Sequence, residues 1–453
     1  MNKSSSPPAY VQFRMMLSCK NRRTTTDEIS GETNSPENSS SSSAVNNIAS
    51  NSDLLRQVLL CLPVKSLFIF KSVSKQWLSI ISDPHFIHNH CFRNCSLPIP
   101  GLLLSKPWSS INPEFEFVFL DEKPMGIVPY KTLPFAKDSI DIKILQSCNG
   151  LFCCSSSNLS AGKSTTYYIY NPSTNHYNIL PRSKFQERGS YYVCSVSLAF
   201  DPLKSPYYEV VLIGWVYRKP IHPNINETVN YQIEMYSSKS ASWSVSRNIS
   251  VVPNDTLSRS GVFWNGSLHW ISTSIESSLC FDINRELVKP MPLPSQSLIP
   301  DGRDRRIGYF GECKGHMHLT VGCGPFMSTH FNVLEMEVDY TGWNVKYRVV
   351  LDTFAVAYPE VSRYADMQVW DLSPYRYEFY VLLVEEDEES PKLVLMTPDK
   401  VISYNLKDMS FKKIHDLAPI IHEENSTIRP GENSTWYLWR SNAYQYIETL
   451  ACV

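Results

Sequence analysis

Apolar residues change their spacing along this chain near residue 97. Between Asn51 and His90 they recur at helical intervals. Leu54, Leu55, Val58, Leu59 and Leu62 follow Ser52, an N-cap candidate, with Asp53 in the first turn. Pro63 stops that run and suits the opening of a second helix, where its fixed φ and missing N–H do no harm. Val64, Leu67, Phe68 and Phe70 form a second apolar set. Ser74 is placed to cap a third helix whose stripe is Trp77, Ile80 and Ile81, closed by Asp83-Pro84. The pattern predicts three short helices with apolar residues on several faces. A unit of roughly forty residues buries little surface by itself and usually needs a partner, a metal or a disulfide. The spacing therefore points to a docking module.

From about Leu97 onward the helical period is gone. Short alternating or aromatic-rich runs stand between Gly, Pro, Asn and Ser clusters, as in TTYYIYN (165–171), YYEVVLI (207–213), YQIEMY (231–236) and KLVLM (392–396). Most of the chain is thus predicted to be all-β. A unit repeats irregularly within it: a strand ending in an aromatic or Asp, a polar turn, then a short aromatic-led strand. It reads YIYNPSTNHYNILP, EMYSSKSASWSVS, CFDINRELVKPMPLP, LEMEVDYTGWNVKYRV and VISYNLKDMSFKKIHDL. Ahead of three copies runs a second signature: CNGLFCC (148–154), WNGSLHWI (264–271) and CKGHMHLTV (313–321). In each, a polar residue plus Gly suits a hairpin turn. A small sheet cannot bury both its faces alone, and stacking such sheets about an axis does so while protecting their edges. The expected architecture is a small all-α unit followed by a large β-propeller. Its Gly-containing strands should lie near the channel and its polar-turn hairpins outside.

Two stretches carry a family resemblance. LPVKSLFIFKSVSKQW (Leu62 to Trp77) followed by Ser82-Asp83-Pro84 resembles the F-box. The Leu-Pro that usually opens that motif is replaced here by Ala49-Ser50-Asn51. SCNGLFCC, YIYNPSTNHYNILP, SLAFDPLKSPYYEVV, GVFWNGSLHWIS, YFGECKGHMHLTV, VKYRVVLD and YQYIETLACV resemble the kelch-like F-box-associated domain of the large plant F-box family. Residues 1–48, Ser/Asn-rich and without periodic apolar residues, are expected to be a disordered tail, and the resemblance implies an F-box over 49–95 and a kelch-like propeller over 96–450. It also implies a non-catalytic substrate receptor of a Skp–cullin–F-box (SCF) ubiquitin ligase. The F-box would bind a Skp-family adaptor and, through it, a cullin and a RING protein, while the propeller would take a protein substrate. The adaptor face implied by the family motif draws on Leu54, Leu55, Leu59, Leu62, Pro63, Val64, Leu67, Phe70 and Trp77, with Leu62, Pro63 and Leu67 foremost. Other readings from different classes are an F-box protein outside any ligase, a glycan-binding F-box lectin, and a propeller metal oxidase.

Composition narrows these readings. A formal net charge of −2 gives no electrostatic footprint for nucleic acid or anionic lipid. No apolar run approaches the roughly 18 residues of a membrane span. The Ser/Asn-rich opening lacks a signal-peptide core, so a cytoplasmic or nuclear chain with reduced thiols is expected despite 12 Cys. Lys20-Asn21-Arg22-Arg23 is a weak match to a nuclear signal. No cofactor is expected. His85, His88, His90, Cys91 and Cys95 crowd together without zinc-ligand spacing, so they read as a helix end and linker. His316 and His318 alternate on a predicted strand and so share a face, the one arrangement that keeps a metal reading open. The acidic run Glu385 to Glu389 reads as a solvated hairpin loop, and Trp264, Trp270 and Trp343 as blade packing rather than a sugar platform.

Overall fold

The structure is a computed structural model. It describes residues 51–94, 99–105, 115–120, 133–134, 140–158, 164–188, 191–216, 230–250, 256–257, 259–273, 275–300, 305–323, 328–364, 375–377, 379–397, 399–417 and 443–453. The expected tail over residues 1–48, its basic cluster, Ala49-Ser50 and Cys95 lie outside these residues. The chain divides into two compact units between residues 95 and 96.

The first unit is helical. Helix α1 is Ser52–Leu59, α2 Val64–Phe70, α3 Lys75–Ser82 and α4 Pro84–Asn94. Asn51, not Ser52, caps α1: its side-chain oxygen accepts from the amides of Asp53 (3.0 Å) and Leu54 (3.2 Å). Ser52 is the first helical residue instead. Pro63 stands at the N-cap of α2, one position before the helix it was expected to open. Ser74 caps α3 as expected, its hydroxyl accepting from the Trp77 amide at 3.2 Å. Asp83-Pro84 closes α3, yet it also starts a fourth helix that the apolar pattern did not predict. Proline is tolerated at a first helical position, and Asp83 accepts from the His85 amide at 2.9 Å. The other Asp83 oxygen meets the Arg56 guanidinium at 2.7 Å, which holds its carboxyl below the usual range.

The second unit is a β-propeller of six blades, each built from antiparallel strands. The first blade holds β1 (Gly101–Ser105) and β2 (Phe115–Phe119). The second is β3 (Ile140–Cys148), β4 (Leu151–Asn158), β5 (Ser164–Asn171) and β6 (His176–Ile179). A short helix, α5 (Lys184–Arg188), leads to the third: β7 (Tyr191–Ala199), β8 (Glu209–Val216), β9 (Asn230–Ser237) and β10 (Ser242–Ser250). The fourth is β11 (Val262–Trp264), β12 (Ser267–Ile271), β13 (Ser278–Asp282) and β14 (Leu287–Lys289). The fifth is β15 (Arg305–Cys313), β16 (His316–Cys323), β17 (His330–Met336) and β18 (Trp343–Val350). After α6 (Asp352–Ala357) and a small pair, β19 (Ser362–Tyr364) and β20 (Tyr375–Tyr377), comes the sixth. It comprises β21 (Tyr380–Glu385), β22 (Lys392–Met396), β23 (Lys400–Asn405) and β24 (Phe411–Asp416). Finally β25 (Ala443–Tyr446) returns to pair with β1, Gly101 opposite Tyr446 and Leu104 opposite Ala443. The first blade therefore joins both ends of the domain and closes the ring, which removes an open edge between first and last blades.

The two repeating signatures fall where the packing logic puts them. Asn149-Gly150, Asn265-Gly266 and Lys314-Gly315 each turn the inner hairpin of a blade, and all six residues have positive φ. That backbone matches strand twist in a two-residue hairpin and favours Asn and Gly. The five polar-turn repeats are the outer hairpins β5–β6, β9–β10, β13–β14, β17–β18 and β23–β24. Six clusters of buried side chains fill the six boundaries between neighbouring blades. Between the third and fourth, for instance, Val211, Ile213 and Ile233 meet Leu268, Trp270 and Phe281.

Tryptophan reinforces these boundaries. Trp264 in β11 donates to the Gly315 carbonyl of the next blade at 2.7 Å, and Trp270 in β12 to Ser195 of the previous one at 3.1 Å. Trp243 and Trp343, each near the start of a fourth strand, donate to Pro181 and Pro292 in the connection leading into their own blade. Trp264, Trp270 and Trp343 are buried, in keeping with blade packing and not with a sugar-stacking platform.

Candidate functional site

The helical unit separates its apolar residues into two sets. Leu55, Leu59, Leu62, Val64, Leu67, Phe70, Ile80, Ile81 and Phe86 are buried. Phe70 meets the half-buried Trp77 edge-on, ring centroids 5.2 Å apart. His90 closes the core from α4: its Nε2 donates to the Leu62 carbonyl at 2.8 Å, and burial depresses its pKa. That bond ties α4 to the turn between α1 and α2 and gives His90 a structural role.

The expected adaptor face divides by burial. Of its nine residues, Leu55, Leu59, Leu62, Val64, Leu67 and Phe70 face inward and build the module, since a unit this small needs nearly every large side chain for its own core. Leu54 and Pro63 are exposed and Trp77 is intermediate. Apolar groups left outside are Phe68 and Ile69 of α2, Val73 just after it, Leu78 of α3 and Phe92 of α4. Ile69 is 48% exposed and Val73 50%, four residues apart along one face of α2 and its exit. Being about half exposed, each such side chain forgoes roughly half of the about 1.5–3 kcal/mol that full burial returns. The spacing did not single them out, because Phe68 and Ile69 interrupt the side of α2 that the polar Lys65 and Ser66 mark.

In the propeller, the innermost strands β25, β3, β7, β11, β15 and β21 surround a central channel of about 1050 Å³. Its described lining is mostly apolar or uncharged, with Gln146, Ser195, Thr256 and Ser260 among the polar groups. Glu312 lies at one end, its Oε1 accepting from the Gly315 amide at 2.7 Å, and burial pushes its carboxyl up to about 7.

The histidine pair expected to share a face does so: the rings of His316 and His318 stack with centroids 6.2 Å apart. Each faces a carboxylate. His316 bonds Glu335, which is also held by Lys346 at 2.7 Å, and His318 stands 2.9 Å from Glu386. The Glu335 carboxyl is pulled down to about 2 by its His316 bond, and that bond raises the His316 pKa. Among the described residues no group of three or more His, Cys, Asp or Glu is arranged to hold a metal ion.

The acidic run is not a purely solvated loop. Glu385 is buried at the end of β21, where it accepts from the Ile99 amide at 3.1 Å and pairs with Lys392 and Lys314. Glu386 accepts from the Tyr347 hydroxyl at 2.9 Å. Asp387 accepts from the amides of Glu389 and Ser390, leaving only the tip of the run to solvent. Lys314 of the fifth blade and Lys392 of the sixth thus turn the start of a run expected as a solvated loop into a join between those blades. The described cysteines are all free thiols, and burial raises those of Cys148, Cys153, Cys154 and Cys313 well above the usual range. No described helix is long and apolar enough to cross a membrane.

Comparison with known proteins matches both units. Residues 51–89 match the F-box domain and residues 117–313 the F-box associated beta propeller domain. F-box protein At5g07610 of Arabidopsis thaliana is 31% identical over 449 residues, covering 97% of this chain and 100% of that protein. F-box protein At5g49610 of the same plant is 28% identical, covering 59% of this chain and 70% of its own length. The Arabidopsis F-box/kelch-repeat protein At3g23880 is 23% identical, with 60% of this chain and 71% of that protein aligned.

Proposed function

Because the chain belongs to the plant F-box family that joins an F-box to an F-box-associated propeller, we propose that it is a substrate-recognition subunit of a Skp–cullin–F-box ubiquitin ligase. The observation that supports this most is the division within the helical unit. Its core is complete, yet Leu54, Ile69, Val73 and Leu78 remain outside, where an adaptor helix would cover them. Pro63, also exposed, would lie at the edge of that contact.

In this reading the chain performs no chemistry of its own. The F-box fixes the assembly and the propeller holds a target protein, so that target lysines stay at high effective concentration near a charged ubiquitin carrier. The loops of the propeller are where a target would be selected, since blades hold the frame while connections vary. The site of action would be the cytoplasm, the nucleus or both.

Quantitative mass spectrometry of partners captured by the tagged full chain in plant cells tests this. Adaptor and cullin should be enriched together with a target, and Ile69→Asp combined with Leu78→Asp should remove the first two while retaining the third. Recovery of propeller partners with neither adaptor nor cullin, from wild-type protein, would place the chain outside any ligase.

A further inference from the structure

Charge in the propeller channel is sorted by end. Among its described lining residues only Arg259, Arg305 and Glu312 are charged. Arg259 lies three residues before the start of β11 and Arg305 opens β15, so both stand near where the innermost strands of two adjacent blades begin. Glu312 stands at the opposite end of β15. Seven residues of strand separate it from Arg305, about 23 Å at about 3.3 Å per residue. A charge that far away is screened beyond roughly two Debye lengths at physiological salt, so Glu312 does not neutralise the arginines.

Neither arginine has a carboxylate partner among the described residues. Arg305 is positioned by uncharged groups: its Nε donates to the Pro300 carbonyl at 2.9 Å and its Nη1 to the Gln296 side chain. The Arg259 backbone is held by Ser195, whose hydroxyl donates to its carbonyl at 2.9 Å. Its guanidinium is open to the channel and has no carboxylate partner among the described residues. The surrounding protein desolvates it, which lowers its pKa. Thr256, Ser260 and Thr273 supply hydroxyl-bearing walls nearby. An always-charged fork that opens into the channel without a carboxylate partner among the described residues offers paired N–H donors to an oxyanion.

We propose that this mouth of the channel is an anion subsite in which Arg259 and Arg305 receive a carboxylate or phosphate group carried by the target protein, as an acidic or phosphorylated side chain. The subsite deepens the receptor reading by naming its substrate class, and its concave setting suits a protruding side chain rather than a flat surface. The far end, where Glu312 stands, offers no cation among the described lining residues, which favours a target whose acidic group enters from the arginine mouth.

Fluorescence anisotropy of the full chain with short labelled peptides tests the proposal. The peptides share one sequence and differ at the central position: Glu, phosphoserine, Gln or Lys. The Glu or phosphoserine peptide should bind at least about tenfold tighter than the Gln peptide, with the Lys peptide weakest. Arg259→Ala should erase most of that preference, Arg305→Ala should weaken it, and Glu312→Gln should leave it intact. Thermal unfolding should be unchanged by Arg259→Ala, because its side chain supports no other group. Equal binding of the Glu, phosphoserine and Gln peptides, or a preference that survives Arg259→Ala, would overturn the subsite. Displacement by inorganic phosphate as tightly as the phosphopeptide binds would overturn the target protein as its source. Adaptor binding measured on the same Arg259→Ala protein separates the two readings: it stays normal if only the subsite is wrong, and is absent from wild type if the ligase assignment is wrong.

Discussion

Leu67 and Ile69 stand two positions apart on α2 and have opposite fates, the first fully buried and the second 48% exposed. Leu67→Ala should cost about 2–5 kcal/mol through the lost burial and the cavity left behind, read as an earlier denaturation midpoint of the helical unit. Ile69→Asp should change stability by no more than about 0.5 kcal/mol while removing adaptor binding. A loss of binding in Leu67→Ala is therefore a folding effect, and only the exposed position reports on the interface. His269 gives a second test at this scale. It is buried in β12 between the Val262 carbonyl and the Tyr340 hydroxyl, and burial pushes its imidazole down to about 4 from an ordinary 6.5. The unfolded chain thus binds more protons between those values. Its contribution to stability is complete above about 6.5 and declines by about 3 kcal/mol as pH falls toward 4. Denaturant titrations across that window should show the decline in wild type and a flatter profile in His269→Gln. The spacing of apolar residues made both helices and blades legible, but not that Ile69 faces out, because it is apolar on the same side of α2 as the polar Lys65 and Ser66.

Among elements, the inner hairpins were readable because a two-residue turn demands residues that accept positive φ, and Asn-Gly or Lys-Gly supplies them. These turns are not equivalent. A Cβ on Gly266 (φ +75°) would meet nothing within 4 Å, whereas on Gly150 (φ +88°) it would come within 2.6 Å of the Ile447 carbonyl and of Thr449. Gly266→Ala should thus cost about 1–2 kcal/mol for the left-handed backbone alone. Gly150→Ala should cost more, because it also pushes away the C-terminal segment, and thermal unfolding of the two variants side by side checks the order. Helix α4 was not readable for the opposite reason. Its residues His85, His88, Asn89, Cys91 and Arg93 hide the few buried positions, and Pro84 signals a stop as readily as a start. The first blade also escaped the repeat, since its strands come from residues 101–119 and 443–446 and only folding brings them together.

Across the whole molecule, the propeller depends on closing its ring and the proposed receptor role on the exposed side of the helical unit. Removing residues 443–453 would strip β25 from β1, open the first blade, and release the bonds from Asn171 to the Thr449 and Ala451 carbonyls. Such a protein should aggregate on size-exclusion chromatography or unfold at a clearly lower temperature, because an unpaired edge invites pairing with other chains. The central claim is that the F-box presents its outward apolar residues to a Skp-family adaptor. Isothermal titration of purified adaptor into the full chain measures it most directly. The account predicts a one-to-one complex that Ile69→Asp with Leu78→Asp abolishes while the melting profile stays unchanged. No measurable complex with the folded wild-type chain, or a complex indifferent to those two substitutions, would contradict it.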